Sequence, residues 1–152
     1  MQQKPNIILG ISPGTRSIGF AVMSDGELID WGLKSFKGKW TNSRKKKILT
    51  LLERFVEDYQ INSIRVKINK TTQVSHNLEM IYLLIEKCCL ERKIELKEID
   101  IEEIKLNCSG SGNKIEMVQY LTAKYPELNI NQSLKTLKNQ LRQYEAIGVT
   151  IM

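Results

Sequence analysis

Three apolar runs separated by turn signals open the chain. They cover residues 7–11, 18–23 and 27–36. The first run is continuously apolar, which is typical of a strand buried on both faces. Pro13-Gly14 follows it and predicts a tight turn, because proline restricts φ and glycine accepts positive φ. Asp25-Gly26 is a strong hairpin signal between the other two runs. The pattern predicts an antiparallel three-stranded meander.

The next part of the chain predicts a helix and then a strand. Apolar residues recur every three or four positions over residues 48–59, after a possible N-cap at Thr41 or Ser43, so we expect a helix of about 15 residues. Residues 64–68 alternate apolar and basic side chains, which predicts a fourth strand. A strand, a crossover helix and a strand imply that the fourth strand lies parallel to the first, with a right-handed connection.

The second half of the chain predicts four helices and a fifth strand. The strand covers residues 94–99, and the helices cover about residues 76–93, 101–106, 114–124 and 131–151. The first of these helices is apolar on more than one face, which favours a deep core or a partner. A flexible loop is expected over residues 108–113. The order of elements predicts an α/β fold, a mixed five-stranded sheet flanked by helices, formed by residues 1–152 as a single domain.

Composition limits the class of protein. The chain has 152 residues, of which 41% are hydrophobic, as expected for one soluble domain. It has no apolar run near the roughly 18 residues of a transmembrane helix and no signal-peptide pattern, so we expect a cytoplasmic protein without a membrane partner. Cys88 and Cys89 are adjacent in a helical pattern and are expected to be reduced core thiols, and no spacing of cysteine and histidine in the chain suits a zinc site.

The chain is moderately basic, with a formal net charge of +6. Such a charge fits a nucleic-acid partner, and it is also common in soluble domains that bind none. The densest basic segment precedes the first long helix and combines cations for phosphate with an aromatic ring for stacking. A solvated helix start would explain the same segment. The candidate nucleic-acid-binding residues here are Lys37, Lys39, Trp40, Arg44, Lys45, Lys46 and Lys47.

The opening strand and its turn carry a recognisable motif. The segment Gly10-Ile11-Ser12-Pro13-Gly14 resembles the first motif of the RuvC branch of the RNase H-like nucleases, in which an aspartate stands where this chain has serine. Residues 64–67, 110–119 and 142–149 resemble the later motifs in the same order. The resemblance implies an RNase H-like fold, a relationship to Holliday junction resolvases, a DNA partner, and a homodimer formed through the helix over residues 76–93.

The same resemblance identifies the positions of an active site. In that family, carboxylates hold two Mg²⁺ ions that hydrolyse a phosphodiester bond. The corresponding positions here are Ser12, Lys67, Arg142 and Glu145, so three carboxylates are missing. Basic side chains repel Mg²⁺. The resemblance therefore implies a resolvase-like protein with no metal site and no cofactor. It also places Lys114 at the family's loop-helix motif, slightly earlier than the family's lysine.

Each of the four positions has a plainer interpretation. Ser12 suits a simple turn, or it could donate its hydroxyl to Glu145. Lys67 suits a solvated strand end, or a phosphate or carboxylate partner. Arg142 suits the helix surface, or it could pair with Glu145, which is itself better suited to a salt bridge than to a general base.

Three functions stay open from the sequence. The first is a nucleic-acid-binding or structural module that binds branched or duplex DNA and has lost metal-dependent cleavage. The second is a Mg²⁺-dependent junction nuclease that uses displaced carboxylates such as Glu145, Asp100 or Glu103, although the last two also suit the first turn of a helix. The third is a protein-interaction module without nucleic acid. His76, the single histidine, is expected to be exposed.

Overall fold

The structure, a computed structural model, describes residues 4–110, 113–128 and 134–152. A five-stranded sheet lies at its centre, in the order β3-β2-β1-β4-β5. The strands are β1 (Ile7–Ser12), β2 (Ser17–Ser24), β3 (Glu27–Ser35), β4 (Ser63–Ile68) and β5 (Glu95–Asp100). The helices are α1 (Asn42–Tyr59), α2 (His76–Arg92), α3 (Ile101–Ser109), α4 (Lys114–Lys124) and α5 (Leu134–Thr150), with a 3₁₀ turn at Pro126–Leu128.

The pairing of the strands agrees with the prediction from the sequence. β1, β2 and β3 form an antiparallel meander, and β4 lies parallel to both β1 and β5. Asp25 and Gly26, at the predicted hairpin turn, both have positive φ. Because β1 and β4 run in the same direction, their carboxyl ends lie at one edge of the sheet. Ser12 and Lys67 are therefore brought to the same edge.

Helices cover both faces of the sheet. Alternate residues of β1 point to opposite faces, so Ile8 joins one core cluster whereas Leu9 and Ile11 join the other. The cluster around Leu9 includes α1 and α2, and the cluster around Ile8 includes α3, α4 and α5. This double coverage explains why β1 is continuously apolar.

Several boundaries differ from the prediction. The helix α1 has 18 residues and includes Arg44, Lys45, Lys46 and Lys47 of the basic segment, because the side chain of Thr41 caps it by accepting from the Arg44 amide. The helix α3 continues to Ser109, where Gly110 ends it with a φ of 73°, so Cys108 is a buried core residue rather than part of a loop. The helix α4 begins after Asn113, whose side chain caps it by accepting from the Ile115 amide. Residues 111–112 of the predicted loop and residues 131–133 of the predicted last helix lie outside the described residues.

The sequence also led to expectations about the cysteines, the single histidine and membrane-spanning helices. Cys88 and Cys89 are free and buried and His76 is exposed, as predicted, and Cys108 is also free. Among the helices that the structure describes, none combines the length and hydrophobicity that a membrane span needs.

Two glycines let α5 lie directly on the sheet. A Cβ atom at Gly10 would overlap the backbone oxygen of Ala146, and one at Gly19 would overlap the backbone oxygen of Arg142. A larger residue at either position would push the helix away from β1 and β2. The close approach brings Arg142 and Glu145 to the edge where β1 and β4 end.

Candidate functional site

The four positions identified by the resemblance lie together at one edge of the sheet. Ser12 ends β1, and Lys67 lies one residue before the end of the neighbouring parallel strand β4. Arg142 and Glu145 are three residues apart on α5, which packs on β1, β2 and β4. Residues that are distant along the chain therefore form one cluster, which we call the sheet-edge cluster.

A buried network joins three members of this cluster. The Ser12 hydroxyl donates to Oε1 of Glu145 at 3.1 Å, and Nζ of Lys67 lies 3.6 Å from Oε2 of the same carboxylate. Ser12 is fully buried and Glu145 is 4% exposed. A carboxylate at such a position is costly unless it is paired and hydrogen-bonded. Both oxygens of Glu145 are engaged, and solvent does not reach the Ser12 hydroxyl.

Lys67 is a partly desolvated cation. Its side chain is 13% exposed, and burial is the main cause that lowers its pKa below the usual value for lysine. The Glu145 carboxylate opposes this shift, whereas the positive charges of Arg142 and Lys114 lower the pKa further. Lys114 therefore lies close enough to act on the cluster electrostatically. The cations Lys67, Arg142 and Lys114 therefore outnumber the nearby carboxylates, which are Glu145 and, acting on Tyr82, Glu98.

Arg142 contacts the β1–β2 turn. Its Nη1 donates to the backbone oxygen of Pro13 at 3.1 Å, and the guanidinium lies against Gly14, where a Cβ would come within 2.5 Å of Cζ. The pairing with Glu145 that the sequence left open is made by Lys67 instead. Arg142 therefore joins α5 to the turn between the first two strands.

Tyr82 supports the cluster from α2, and the sequence did not single it out. Its hydroxyl donates to the backbone oxygen of Lys67 at 3.1 Å. Burial is the main cause that raises the pKa of Tyr82 to about 12. The phenol is therefore protonated at neutral pH and available as a donor. Its place in the apolar stripe of a helix gave no signal of this contact.

The residues of the cluster do not fit a Mg²⁺ site. Mg²⁺ prefers several oxygen ligands in near-octahedral geometry, usually including carboxylates. Glu145 supplies the one carboxylate of the four positions, and it is engaged by an ammonium and a hydroxyl. Within residues 4–110, 113–128 and 134–152, no group of three or more His, Cys, Asp or Glu side chains is placed to hold a metal ion. Asp100 and Glu103 therefore do not form such a group with Glu145.

Arg44 occupies a different environment from its basic neighbours. It is 6% exposed, and its guanidinium donates to the backbone oxygens of Thr15 at 2.9 Å, Lys37 at 3.0 Å and Gly38 at 2.8 Å. The prediction that it presents its charge to a nucleic acid is corrected accordingly. Burial and three carbonyl acceptors give Arg44 a structural position that ties α1 to two loops.

The remaining residues of the basic segment divide into two groups. Lys37, Lys39, Lys46 and Lys47 are exposed and line an open groove beside α1. Trp40 and Lys45 are half-buried and do not line it. The guanidinium of Arg44 lies 5.9 Å from the centre of the Trp40 ring. The exposed lysines, and not the aromatic ring, therefore form the accessible part of the segment.

Replacing Arg44 by methionine is expected to lower the free energy of unfolding by about 2 kcal/mol, because three backbone carbonyl oxygens lose the charged donor that the buried Arg44 provides. Urea denaturation measures the change. Lys47→Met is the matched control, since Lys47 is exposed on the same helix, and it should change stability by less than about 0.5 kcal/mol. Equal losses in the two variants would contradict the structural position of Arg44.

Comparison with known proteins gives a match in structure and none in sequence. No family model matches the chain, and no curated protein matches it. The structure of Thermus thermophilus RuvC is 11% identical, with a TM-score of 0.75 over 94% of this chain and 90% of that chain. The complex of T. thermophilus RuvC with a Holliday junction substrate gives a TM-score of 0.76 at 11% identity, over 95% and 90% of the two chains.

A viral protein gives a weaker match. The Fowlpox virus resolvase, solved with a Holliday junction DNA substrate, is 13% identical, with a TM-score of 0.50 over 95% of this chain and 97% of that chain. Identities this low support the fold alone. The matches to RuvC extend over nearly all of both chains, and they agree with the observed strand order and with the convergence of the four positions. The expectation from the sequence is confirmed: this chain has the RuvC-like, RNase H-like fold of the Holliday junction resolvases.

Proposed function

We propose that the protein binds branched DNA of the Holliday junction type and does not cleave it by a metal-dependent reaction. The ion pair of Lys67 and Glu145 at the sheet edge carries the proposal. Two-metal hydrolysis needs carboxylates that hold the ions against the reacting phosphate. An ammonium and a hydroxyl engage the carboxylate of this cluster. The DNA partner is inferred from the fold, since two structures of similar fold hold Holliday junctions.

The cations of the cluster supply an attraction for phosphate without a metal ion. Lys67, Arg142 and Lys114 contribute three positive charges, against the two negative charges of Glu145 and of Glu98, which acts on the neighbouring Tyr82. Lys114 is exposed and Arg142 is half-buried, so these two are the members that DNA can reach most readily. A net positive cluster attracts the DNA backbone directly. We propose that the strand crossover of the junction lies at this edge.

A homodimer formed through α2 is part of the same proposal. Ile81, Ile85 and Cys88 are buried, whereas Leu83 and Leu90, one heptad apart, are 50% and 81% exposed. Exposed leucines at this spacing form a stripe on the outer side of the helix, which suits packing against a second copy. A sedimentation mass of twice 17.5 kDa would support the dimer.

Binding and cleavage of a four-way junction test the proposed function. Fluorescence anisotropy should show that a junction binds at least about tenfold more tightly than a duplex of the same arm sequence. Binding in EDTA should be at least as tight as in Mg²⁺, because protein cations neutralise the phosphates and Mg²⁺ competes for them. Denaturing gels should show no cleaved strand after incubation with Mg²⁺ or Mn²⁺.

Two results would overturn the proposal. Metal-dependent cleavage that disappears in Glu145→Gln would establish the nuclease with displaced carboxylates. Absence of binding to both the junction and the duplex would favour the protein-interaction module.

A further inference from the structure

A cationic groove lies beside α1, apart from the sheet-edge cluster. It has a volume of about 720 Å³ and is formed by the end of β3, the following loop and the first part of α1. Seven of its lining residues are lysine or arginine, and none is aspartate or glutamate. The seven are Lys34, Lys37, Lys39, Arg44, Lys46, Lys47 and Arg54.

The groove concentrates the charge of the protein. Its seven cations exceed the net charge of the whole chain, which is +6, so the other residues together are slightly acidic. Apart from the buried Arg44, the seven are exposed. None of these six forms an ion pair with a carboxylate in the part of the chain that the structure describes. Neighbouring cations without counter-ions repel one another, and a polyanion in the groove would relieve that repulsion.

The shape of the groove is set by buried contacts. Arg44 lies beneath it and holds the backbone of Thr15, Lys37 and Gly38 by three hydrogen bonds. Thr41 caps α1 at the point where the loop enters the helix. The backbone that carries the lysines of the groove is therefore held in place before DNA binds. This lowers the entropy that the protein loses on binding.

The lining favours a phosphate backbone over stacked bases. Trp40 does not line the groove, and Phe36, the one aromatic residue of the lining, is half-buried, with the Arg44 guanidinium 5.6 Å from its ring centre. Phe36 and Leu51 supply apolar surface, and the polar groups of the lining are ammonium and guanidinium groups with the hydroxyls of Ser35, Thr41, Ser43 and Thr50. Such groups contact phosphate oxygens and do not distinguish base sequences.

The groove and the sheet-edge cluster flank the same turn. Arg142 donates a hydrogen bond to the backbone oxygen of Pro13, and Arg44 donates one to the backbone oxygen of Thr15, two residues further along the chain. Two residues of chain extend at most about 7 Å. Double-stranded DNA carries one charge for about every 1.7 Å of its axis. A duplex arm that leaves the sheet edge across this turn would place several phosphates along the groove.

We propose that this groove binds the phosphate backbone of one duplex arm of the DNA, without regard to base sequence. The proposal rests on the proposed function, in which the sheet-edge cluster receives the strand crossover. Lys34 and Arg54, which lie outside the basic segment identified from the sequence, belong to the site. Arg44 shapes it from below and does not contact the DNA.

The salt dependence of DNA binding tests this groove. We would compare the full chain with Lys46→Gln/Lys47→Gln/Arg54→Gln, on a labelled four-way junction and on a duplex, between about 50 and 300 mM NaCl. The control is Lys4→Gln/Lys97→Gln/Lys124→Gln, which removes the same charge from exposed positions away from both sites. The slope of log Kd against log salt concentration should decrease by about 2 to 3 in the groove variant, because each lost phosphate contact lowers the slope by about 0.9. Its affinity should fall about tenfold, and the control should change little.

Lysine acetylation of the unaltered protein gives a second readout that needs no variant. Bound DNA should protect Lys46 and Lys47 from acetylation and leave Lys97 reactive. Protection of equal strength by inorganic phosphate at the same ionic strength would overturn the proposal, since it would indicate a site for small anions.

The outcomes separate this inference from the proposed function. Junction-selective binding with equal salt slopes in the groove and control variants would overturn the groove and leave the function standing. Equally tight binding of junction and duplex, with a slope that depends on the groove, would support the groove and overturn the preference for branched DNA. No binding to either DNA would overturn both.

Discussion

Replacing Lys67 by methionine is expected to lower the free energy of unfolding by about 3 kcal/mol at neutral pH. Methionine keeps most of the apolar stem of lysine, so the change mainly removes the positive charge. The Glu145 carboxylate, 4% exposed, then keeps only the Ser12 hydroxyl of its two described partners. A buried carboxylate without a counter-ion is strongly destabilising. Urea denaturation at constant ionic strength measures the loss.

The double variant Lys67→Met/Glu145→Gln is the control for this result. It removes both charges, and the glutamine side chain can still accept from Ser12, so most of the lost stability should return. If the double variant were as unstable as Lys67→Met, the uncompensated charge would not be the cause.

The reciprocal variant, Glu145→Gln, leaves Lys67 without its carboxylate, and the resulting loss of stability should depend on pH. Burial already lowers the pKa of Lys67, and Glu145 is the main group that opposes the shift, so the pKa falls further in the variant. A buried cation with a lowered pKa destabilises the fold fully below its folded-state pKa. The penalty disappears as the pH rises towards the unfolded value of about 10.4. Glu145→Gln should therefore cost more stability at pH 7 than at pH 10, relative to the unaltered protein.

Replacing Gly10 by alanine is expected to cost about 3 kcal/mol. The new Cβ would overlap the backbone oxygen of Ala146 and lie 2.6 Å from Cγ2 of Thr150. A backbone oxygen inside a helix can move only if the whole helix α5 shifts away from β1. Because α5 carries Glu145, the shift would also separate that carboxylate from Ser12. Thermal and urea denaturation measure the effect on stability.

Gly32→Ala is the matched control, because it makes the same chemical change in another strand of the sheet. The nearest atoms to its Cβ would belong to the half-buried ring of Phe20, at 2.9 Å, and a side chain can rotate away. The expected cost is below about 1 kcal/mol. A similar cost for the two variants would show that α5 does not depend on its close approach at Gly10.

The order of elements could be predicted from the sequence because each depends on local signals. Apolar periodicity indicated the strands and helices, and glycine, proline and capping residues indicated most of their ends. The parallel pairing of β1 and β4 was predicted from the helix that connects the meander to β4, since parallel strands are joined by crossover connections. The resemblance that the motif at Gly10 shares with the later motifs then indicated the four positions, and the structure brings them to one sheet edge. These features depend on residues that are close along the chain or on general rules of topology.

The partners of each charge were decided by the tertiary structure alone. Ser12 and Glu145 are 133 residues apart in the chain, and their contact depends on how closely α5 approaches β1. The sequence left open whether Lys67 or Arg142 pairs with Glu145, and it could not show that Arg44 is buried while Lys46 and Lys47 on the same helix are exposed. A local sequence pattern gives only the type of each side chain. Its burial and its charge partners depend on segments that meet only in the folded protein, and those determine which cations hold the fold together and which can bind a phosphate.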